Sequence, residues 1–258
     1  MTITPSPVTR RAAAGSAAIA DPRGRYTVSL AQTAADVLDA QRLRYQVFAG
    51  EMGARLDTPM TGVDGDRFDA YCDHLLVRES ATGQVVGTYR LLAPGRSDRL
   101  YSETEFDLGP LSGIRKGLVE VGRSCVHAEH RGGAVVGLMW AGIARYMVEG
   151  GYSWLGGCCS VPLTDEPLAA AVHDRVMTRH LAPQAYRLVP HRPWSPEGIE
   201  RPDGFQMPAL LRGYLRLGSW VCGPPAYDPD FHSADFFVLL SLANVDTRYL
   251  RHFLGVES

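Results

Sequence analysis

Two opposite charges interrupt an apolar segment near the middle of this chain. Glu120 and Arg123 lie within residues 118–126, where most neighbours are apolar or small. Burial raises the pKa of a carboxyl group, so a glutamate in such a segment can act as a general base. The alternative is a buried ion pair that only ties the sheet together. A regular strand would place the two side chains on opposite faces, so we expect a β-bulge at Gly122 that brings both to one face.

A glycine turn follows this segment at Arg131-Gly132-Gly133 and leads into an apolar helical pattern. Unpaired N–H groups at a helix start attract anions, and the glycines let a phosphate group approach the backbone. Glycines also precede many helices for reasons of turn geometry alone. The position of this turn directly after the Glu120 segment favours phosphate binding.

An acidic loop supplies a third candidate group. Asp64, Asp66 and Asp69 are followed closely by Asp73-His74. One or two of these carboxylates could bind a cationic acceptor, whereas the alternative is a solvated loop. The spacing does not match an EF-hand, so calcium is not expected.

Histidines and cysteines give little support for a metal site. His127 and His130 flank the Glu120 segment, but a lone histidine is more often structural than catalytic. The five cysteines include no CxxC pair, and a zinc site built from Cys72, His74 and distant cysteines fits no zinc spacing. We therefore predict free thiols in a reducing compartment and no bound metal.

Composition narrows the class of protein further. The 258 residues are enough for one large domain, and 45% hydrophobic with 21% charged residues is typical of a soluble globular chain. The net charge of −2 lacks the basic excess of nucleic-acid-binding proteins. No apolar run is long enough to cross a membrane. Residues 1–24 are too weakly apolar for a secretory signal and predict a disordered tail, so we expect a cytoplasmic protein.

The elements that must position these residues follow from hydrophobic periodicity and turn signals. The predicted order is strand 26–30, helix 33–48, hairpin 74–78 and 85–92, a short helical or irregular piece 101–111, strand 118–126, helix 134–149, strand 154–159, helix 208–217, strands 219–222 and 236–240, and a final helix 245–254. This order predicts an α+β fold with a central mixed sheet flanked by helices. Residues 25–258 would form one domain that includes a C-terminal extension from about residue 196.

Several segments together resemble a known family. They are Arg44-Tyr45-Gln46-Val47-Phe48, Asp66-Arg67-Phe68-Asp69, Val86-Gly87-Thr88-Tyr89-Arg90-Leu91-Leu92, Phe106, Glu120-Val121-Gly122-Arg123 with its continuation to His127, His130-Arg131-Gly132, Leu210-Leu211-Arg212-Gly213-Tyr214-Leu215-Arg216-Leu217-Gly218, Pro225-Ala226 and Asp228. The pattern resembles acyl-homoserine-lactone synthases, and still more closely the N-acyltransferases that make lyso-ornithine lipid. The resemblance covers roughly residues 40–255, and its longest motifs are specific.

The resemblance implies the GNAT fold, an acyl carrier protein thioester as donor and an amino acid such as ornithine as acceptor. It implies that Glu120 is the base. The implied site also comprises Arg123 and Ser124 at the reacting centre, Asp66, Asp69, Arg90 and Arg44 around the acceptor, and Arg131, Gly132 and Gly133 at the pantetheine phosphate. The acyl donor, on acyl carrier protein or CoA, is a co-substrate, so no cofactor is expected. A lipid product would allow peripheral contact with a membrane.

The phosphate turn departs from the acetyl-CoA enzymes of this fold, which usually show Arg/Gln-x-x-Gly-x-Gly/Ala. After Arg131, Ala134 and Val136 stand at the second and third glycine positions. The turn therefore favours a single phosphopantetheine phosphate over the CoA pyrophosphate. Three alternatives stay open: an acetyl-CoA N-acetyltransferase, an acyl-homoserine-lactone synthase, although those chains are usually shorter, and a non-enzymatic module that holds acyl carrier protein.

Overall fold

The computed structural model describes residues 18–58, 60–246 and 248–249. The strands of its central sheet are β1 (Ile19–Ala20), β2 (Tyr26–Leu30), β3 (Asp73–Glu79), β4 (Val85–Leu92), β6 (Leu118–Val126), β7 (Trp154–Pro162), β9 (Trp220–Val221), β10 (Ala226–Asp228) and β11 (Ser233–Ser241). They are arranged in the order β1-β2-β3-β4-β6-β7-β11-β10, and β9 pairs separately with β11. A small second sheet pairs β5 (Phe106–Asp107) with β8 (Val189–Pro190).

Helices cover this sheet: α1 (Ala34–Tyr45), α2 (Gly133–Glu149), α3 (Glu166–Arg179) and α4 (Ala209–Arg216). The strand pairs described are antiparallel except for β6 and β7, which are parallel. Parallel neighbours need a long crossover connection, and α2 provides it. The predicted α+β fold with a central mixed sheet is confirmed.

Local signals explain where the first two helices form. Thr33 and Asp36 form a capping box at the start of α1, which continues as a π-helical turn over Gln46–Glu51. The apolar stripe of α2 is buried as its periodicity predicts. At Gly142 the backbone of α2 lies so close to β3 that an added Cβ would be 2.7 Å from Cδ1 of Leu75. Any larger residue at this position would have to displace the Leu75 side chain.

The predictions at the two ends of the chain have different outcomes. Residues 1–17 of the predicted tail lie outside the described residues. The rest of that tail is structured, because Ile19–Ala20 pairs with β2 and Ile19 packs against the main core. The predicted final helix over 245–254 falls mostly outside the described residues.

Residues 162–206, to which the hydrophobic pattern assigns no element, contain the helix α3. α3 begins there with an N-cap, since Oδ1 of Asp165 accepts a hydrogen bond of 3.0 Å from the Leu168 N–H. Asp165 followed by Glu166-Pro167 is itself a helix-start signal that the proline-rich surroundings obscured.

The segment after about residue 196 is part of the sheet and not an appendage. β11 pairs with β7 along its whole length, Ser233–Ser241 against Trp154–Pro162. α4 packs its buried Leu211 and Tyr214 into the main core. Within the part of the chain that the structure describes, no helix is long and apolar enough to cross a bilayer.

Candidate active site

A β-bulge in β6 sets the direction of its side chains. Arg123 and Ser124 together oppose the single residue Tyr89 of β4, and Arg123 has a left-handed backbone with φ of 51°. We expected the bulge at Gly122, but it lies one residue further along the strand, at Arg123. Its predicted consequence holds, because Glu120 and Arg123 line the same cavity.

The cavity lies where β6 and β7 separate. The two strands pair only from Leu118 to Glu120 of β6, and beyond that point residues of both strands, among them Ser124 and Ser160, line the cavity. The cavity beside this gap has a volume of about 210 Å³. Residues of both strands and of the C-terminal segment line it, among them Arg90, Glu120, Arg123, Ser124, Asp228 and Asp235.

Glu120 is 5% exposed and is held by backbone donors. Its Oε2 accepts from the Tyr101 N–H at 2.7 Å and its Oε1 from the Ser102 N–H at 2.8 Å. Burial raises the pKa of Glu120 and outweighs these hydrogen bonds, which lower it. The carboxylate thus anchors the 3₁₀ turn Tyr101–Thr104 and also borders the cavity as a base of raised proton affinity. Among the described residues it forms no ion pair with Arg123.

Behind the cavity, arginines and aspartates form a dense set of ion pairs. Arg44 is fully buried, with Nε 2.7 Å from Oδ2 of Asp64 and two nitrogens each 2.9 Å from the carboxylate oxygens of Asp69. Nη1 of Arg90 lies 2.7 Å from Oδ2 of Asp66 and 3.1 Å from Oδ1 of Asp69. We call these five residues together with Arg123 the Arg–Asp network. Its three positive and three negative charges balance.

The network changes the interpretation of the predicted acceptor site. Burial raises the pKa of Asp69, but the hydrogen bonds and charge of Arg44 outweigh it and hold this pKa well below its ordinary value. Burial is also the largest single effect on the pKa of Asp66 and raises it, but the charge and hydrogen bond of Arg90 together with the charge of Arg123 outweigh it, so this pKa is likewise lowered. Of the four residues predicted around the acceptor, Arg90 lines the cavity, whereas Arg44, Asp66 and Asp69 are not among its described lining residues. Their predicted contact with the acceptor stays a prediction.

Arg123 is the least satisfied cation of the network. Its nitrogens lie 3.5 Å from Asp64 and 3.6 Å from Asp66, and its buried Nε has no hydrogen-bond partner among the described residues. The guanidinium stacks over the rings of Tyr101 and Phe231, at 5.2 and 5.1 Å from their centroids. It therefore presents a positive charge with unused donors to the cavity.

A second acidic group, which we call the carboxyl cluster, comprises Glu105, Asp228 and Asp235, of which Asp228 and Asp235 line the cavity. Asp228 belongs to the family motif, but Glu105 and Asp235 were not predicted as site residues. Glu105 and Asp235 each offer an oxygen within 4.8 Å of the other and of Sγ of Cys158. Asp235 is 4% exposed. It directly precedes the apolar run 236–240, which is the same kind of signal that identified Glu120 and could have revealed it.

Burial and charge repulsion act on this cluster together. Burial, followed by the negative charge of Asp235, raises the pKa of Glu105, and both of its shielded oxygens lack a hydrogen-bond partner in the described chain. Burial also raises the pKa of Asp235, which accepts a 2.6 Å hydrogen bond from Ser233. The same burial raises the pKa of the Cys158 thiol, so Cys158 is not a thiolate nucleophile.

The predicted phosphate turn stands at the start of α2. Gly132 is the N-cap, and no side chain caps the helix. A Cβ on Gly132 or Gly133 would meet nothing within 4 Å, so no neighbouring side chain crowds this turn. Arg131 is half exposed, pairs with Glu51, and donates from Nε to the Val126 carbonyl at 3.2 Å. The geometry suits an anion at a helix N-terminus.

His127 and His130 have local partners instead of catalytic ones. Nδ1 of His127 accepts from the Glu129 N–H at 3.3 Å, and Nδ1 of His130 lies 3.0 Å from the hydroxyl of Tyr26. These contacts support the structural interpretation of both histidines.

A mixed sheet whose parallel strands separate beside a buried glutamate, followed by an uncapped helix start, defines a GNAT-type acyltransferase. A family model described as an acetyltransferase (GNAT) domain matches residues 43–141. Two solved structures share the fold. The CoA-dependent acyl-homoserine lactone synthase BjaI has a TM-score of 0.52 and 18% identity over 87% of this chain and 85% of that one. The acyl-homoserine lactone synthase LasI has a TM-score of 0.51 and 16% identity over 90% and 98%.

Relatives with higher identity narrow the class. A protein of Brucella abortus (strain 2308) named L-ornithine N(alpha)-acyltransferase is 34% identical over 95% of this chain and 94% of its own length. A protein of Rhizobium meliloti (strain 1021) with the same name is 36% identical over 87% of this chain and 82% of its own length. The chain belongs to the L-ornithine N(alpha)-acyltransferase family and is a GNAT-type N-acyltransferase.

Proposed function

We propose that this chain transfers a fatty or 3-hydroxy fatty acyl group from acyl carrier protein to the α-amino group of ornithine, a step of lipid biosynthesis. The observation that carries the proposal is the buried Glu120 at the gap between β6 and β7. The names of the relatives supply the acceptor. The acyl carrier protein is the expected partner, and the acyl product would bring the enzyme into peripheral contact with a membrane.

Glu120 would remove a proton from the attacking amine. An α-ammonium group cannot attack a thioester until it loses a proton, so a base at the cavity is required. A carboxylate whose pKa is raised by burial takes that proton more readily than an exposed one. The proton passes to Oε1 or Oε2, directly or through a water molecule.

The bulge of β6 would stabilise the developing oxyanion. Arg123 and Ser124 have no regular one-to-one partner in β4, which leaves backbone N–H groups at the cavity wall for another acceptor. A donor aimed at the tetrahedral oxygen lowers the barrier to acyl transfer. As the C–N bond forms, the C–S bond breaks and the pantetheine thiol leaves. A thiol of pKa about 8.5 is a fair leaving group.

The acceptor carboxylate would bind Arg123, which has unused donors and lines the cavity. A guanidinium binds a carboxylate in a bidentate way, which fixes both position and orientation. The tethering of both reactants would supply much of the rate enhancement.

The substitution Glu120→Gln tests the proposal. We expect a loss of about 10²-fold or more in kcat, the usual scale for a lost general base. The rise in activity with increasing pH that we expect of the wild type should also be absent in the variant. Glu103→Gln is the matched control, because Glu103 lies in the same 3₁₀ turn but pairs outward with Arg115 at 2.6 Å. A folded Glu120→Gln variant with nearly full activity would leave Glu120 only its anchoring role.

The donor is tested separately with one acyl chain on two carriers. We expect acyl carrier protein to exceed the matching acyl-CoA in kcat/KM, because Ala134 and Val136 replace two glycines of the CoA-binding turn. Equal or better use of acetyl-CoA would instead support an acetyl-CoA N-acetyltransferase.

A further inference from the structure

Two sets of buried carboxylates adjoin the cavity, and only one of them has cations. Every aspartate of the Arg–Asp network lies within ion-pair distance of at least one arginine. Among the described residues, no arginine, lysine or histidine forms an ion pair with Glu105, Asp228 or Asp235. Buried carboxylates without a cation beside them are costly. The carboxyl cluster therefore has the charge that a cationic ligand would complete.

Asp228 and Asp235 of the cluster line the same cavity as Glu120, and Glu105 lies beside Asp235. Ser102 links the two, since its N–H donates to Glu120 and its hydroxyl accepts from Sγ of Cys158 at 3.4 Å. Sγ of Cys158 in turn lies within 4.8 Å of the oxygens of Glu105 and Asp235. The base and the cluster are thus separated by only a few contacts.

We infer that the carboxyl cluster binds the side-chain ammonium group of a diamino-acid acceptor, while Glu120 faces its α-amine. The inference rests on the proposed function and deepens it. It replaces the expectation that Asp66 and Asp69 hold this ammonium. Both oxygens of Asp69 accept from Arg44, whereas Oδ2 of Asp66 accepts from Arg90 and its Oδ1 from the Phe68 N–H. Both shielded oxygens of Glu105 lack a partner, whereas those of Asp69 accept several hydrogen bonds.

An acceptor of this class fits the distribution of charge along the cavity. Arg123 offers donors for the α-carboxylate, and its positive charge reaches Glu105, whose pKa it lowers. The cluster offers oxygen acceptors for three ammonium protons. A monoamino acid would leave the cluster unpaired, and a site with unpaired polar groups discriminates strongly against a ligand that lacks their partner.

The protonation of the cluster supports the same conclusion. Burial raises the pKa of both Glu105 and Asp235. The negative charge of Asp235 raises the pKa of Glu105 further, and that of Asp228 raises the pKa of Asp235, so the empty cluster retains a proton into the neutral range. The groups that act on these two carboxyls are Asp228, Cys158, Arg123, Ser233 and Ser160. An ammonium group would take the place of that proton, so ornithine binding should release protons to the solvent.

Two isosteric variants, Glu105→Gln and Asp235→Asn, test the inference. Each should raise the KM for ornithine about 10-fold or more with a smaller change in kcat, the pattern of lost binding. Each should also reduce the preference for ornithine over 2-aminopentanoic acid, which has the same carbon chain without the distal amine. Glu103→Gln is the matched control and should leave the ornithine KM within about twofold.

Calorimetry of ornithine binding, in two buffers of different ionisation enthalpy, separates this inference from the proposed function. Proton release on ornithine binding to the wild type, together with weaker binding to Asp235→Asn, supports the inference even if no acyl transfer occurs. A lack of acyl transfer would contradict the proposed function alone. Normal transfer to ornithine with unchanged KM in both variants would overturn the inference alone. A loss of ornithine binding on chelation would also overturn it, because the cluster would then hold a metal ion.

Discussion

The Arg–Asp network and the carboxyl cluster contain the same kind of side chain in similar burial, yet their partners differ. In the network, arginines of α1, β4 and β6 surround the aspartates of one loop, and the charges cancel. In the cluster, carboxyls from β10, β11 and the segment before β5 lie together, and none of them forms an ion pair with a described arginine, lysine or histidine. The comparison shows that burial of an acidic residue does not by itself indicate binding. A buried carboxylate paired with an arginine of the protein stabilises the fold, whereas one without such a cation is available to bind a cationic ligand.

The largest expected effect is on the stability of the network. Arg44→Met should lower the free energy of unfolding by about 3–5 kcal/mol, because it leaves Asp64 and Asp69 buried without their main cation. Urea denaturation measures the change. Arg115→Met is the control for an exposed pair with Glu103 and should cost less than about 1 kcal/mol. Equal losses in the two variants would mean that burial of the network adds nothing.

Substitution in the carboxyl cluster should change the free energy of unfolding less, and in the opposite direction. Burial raises the pKa of Glu105 above its ordinary value of 4.5, so its contribution to stability is full below that pH and declines as the pH rises. Glu105→Gln should therefore stabilise the protein by roughly 1–3 kcal/mol at about pH 8. The gain should shrink toward about pH 5. Thermal unfolding of both proteins across this range provides the measurement.

The stability of a variant in the Arg–Asp network should depend on pH in the opposite way. The pKa of Asp69 is lowered from 3.8, so its contribution is full above that pH and is lost as the pH falls. Asp69→Asn should then be destabilised at neutral pH, with a deficit that narrows in acid. If both variants showed the same pH dependence, the two groups of carboxylates would not differ as described.

Much of the local structure was predictable. The apolar runs of β4, β6 and β7 and the stripe of α2 are visible in the sequence because side-chain periodicity is a short-range property. Glu120 stood out because a charge inside an apolar strand is a local anomaly. The bulge was inferred correctly in its effect, but its position at Arg123 depends on pairing with Tyr89 of a different strand.

What the sequence by itself determined is therefore the family, the order of most elements, Glu120 and the glycine turn before α2. Only the tertiary structure decided the partners of the buried charges. Asp66 and Asp69 look available in the sequence, but folding brings Arg44 and Arg90 onto them. Glu105 and Asp235 are far apart in the chain and meet only because β11 completes the sheet beside β7. A charge is neutralised by whatever lies beside it in space, and no short-range pattern records that.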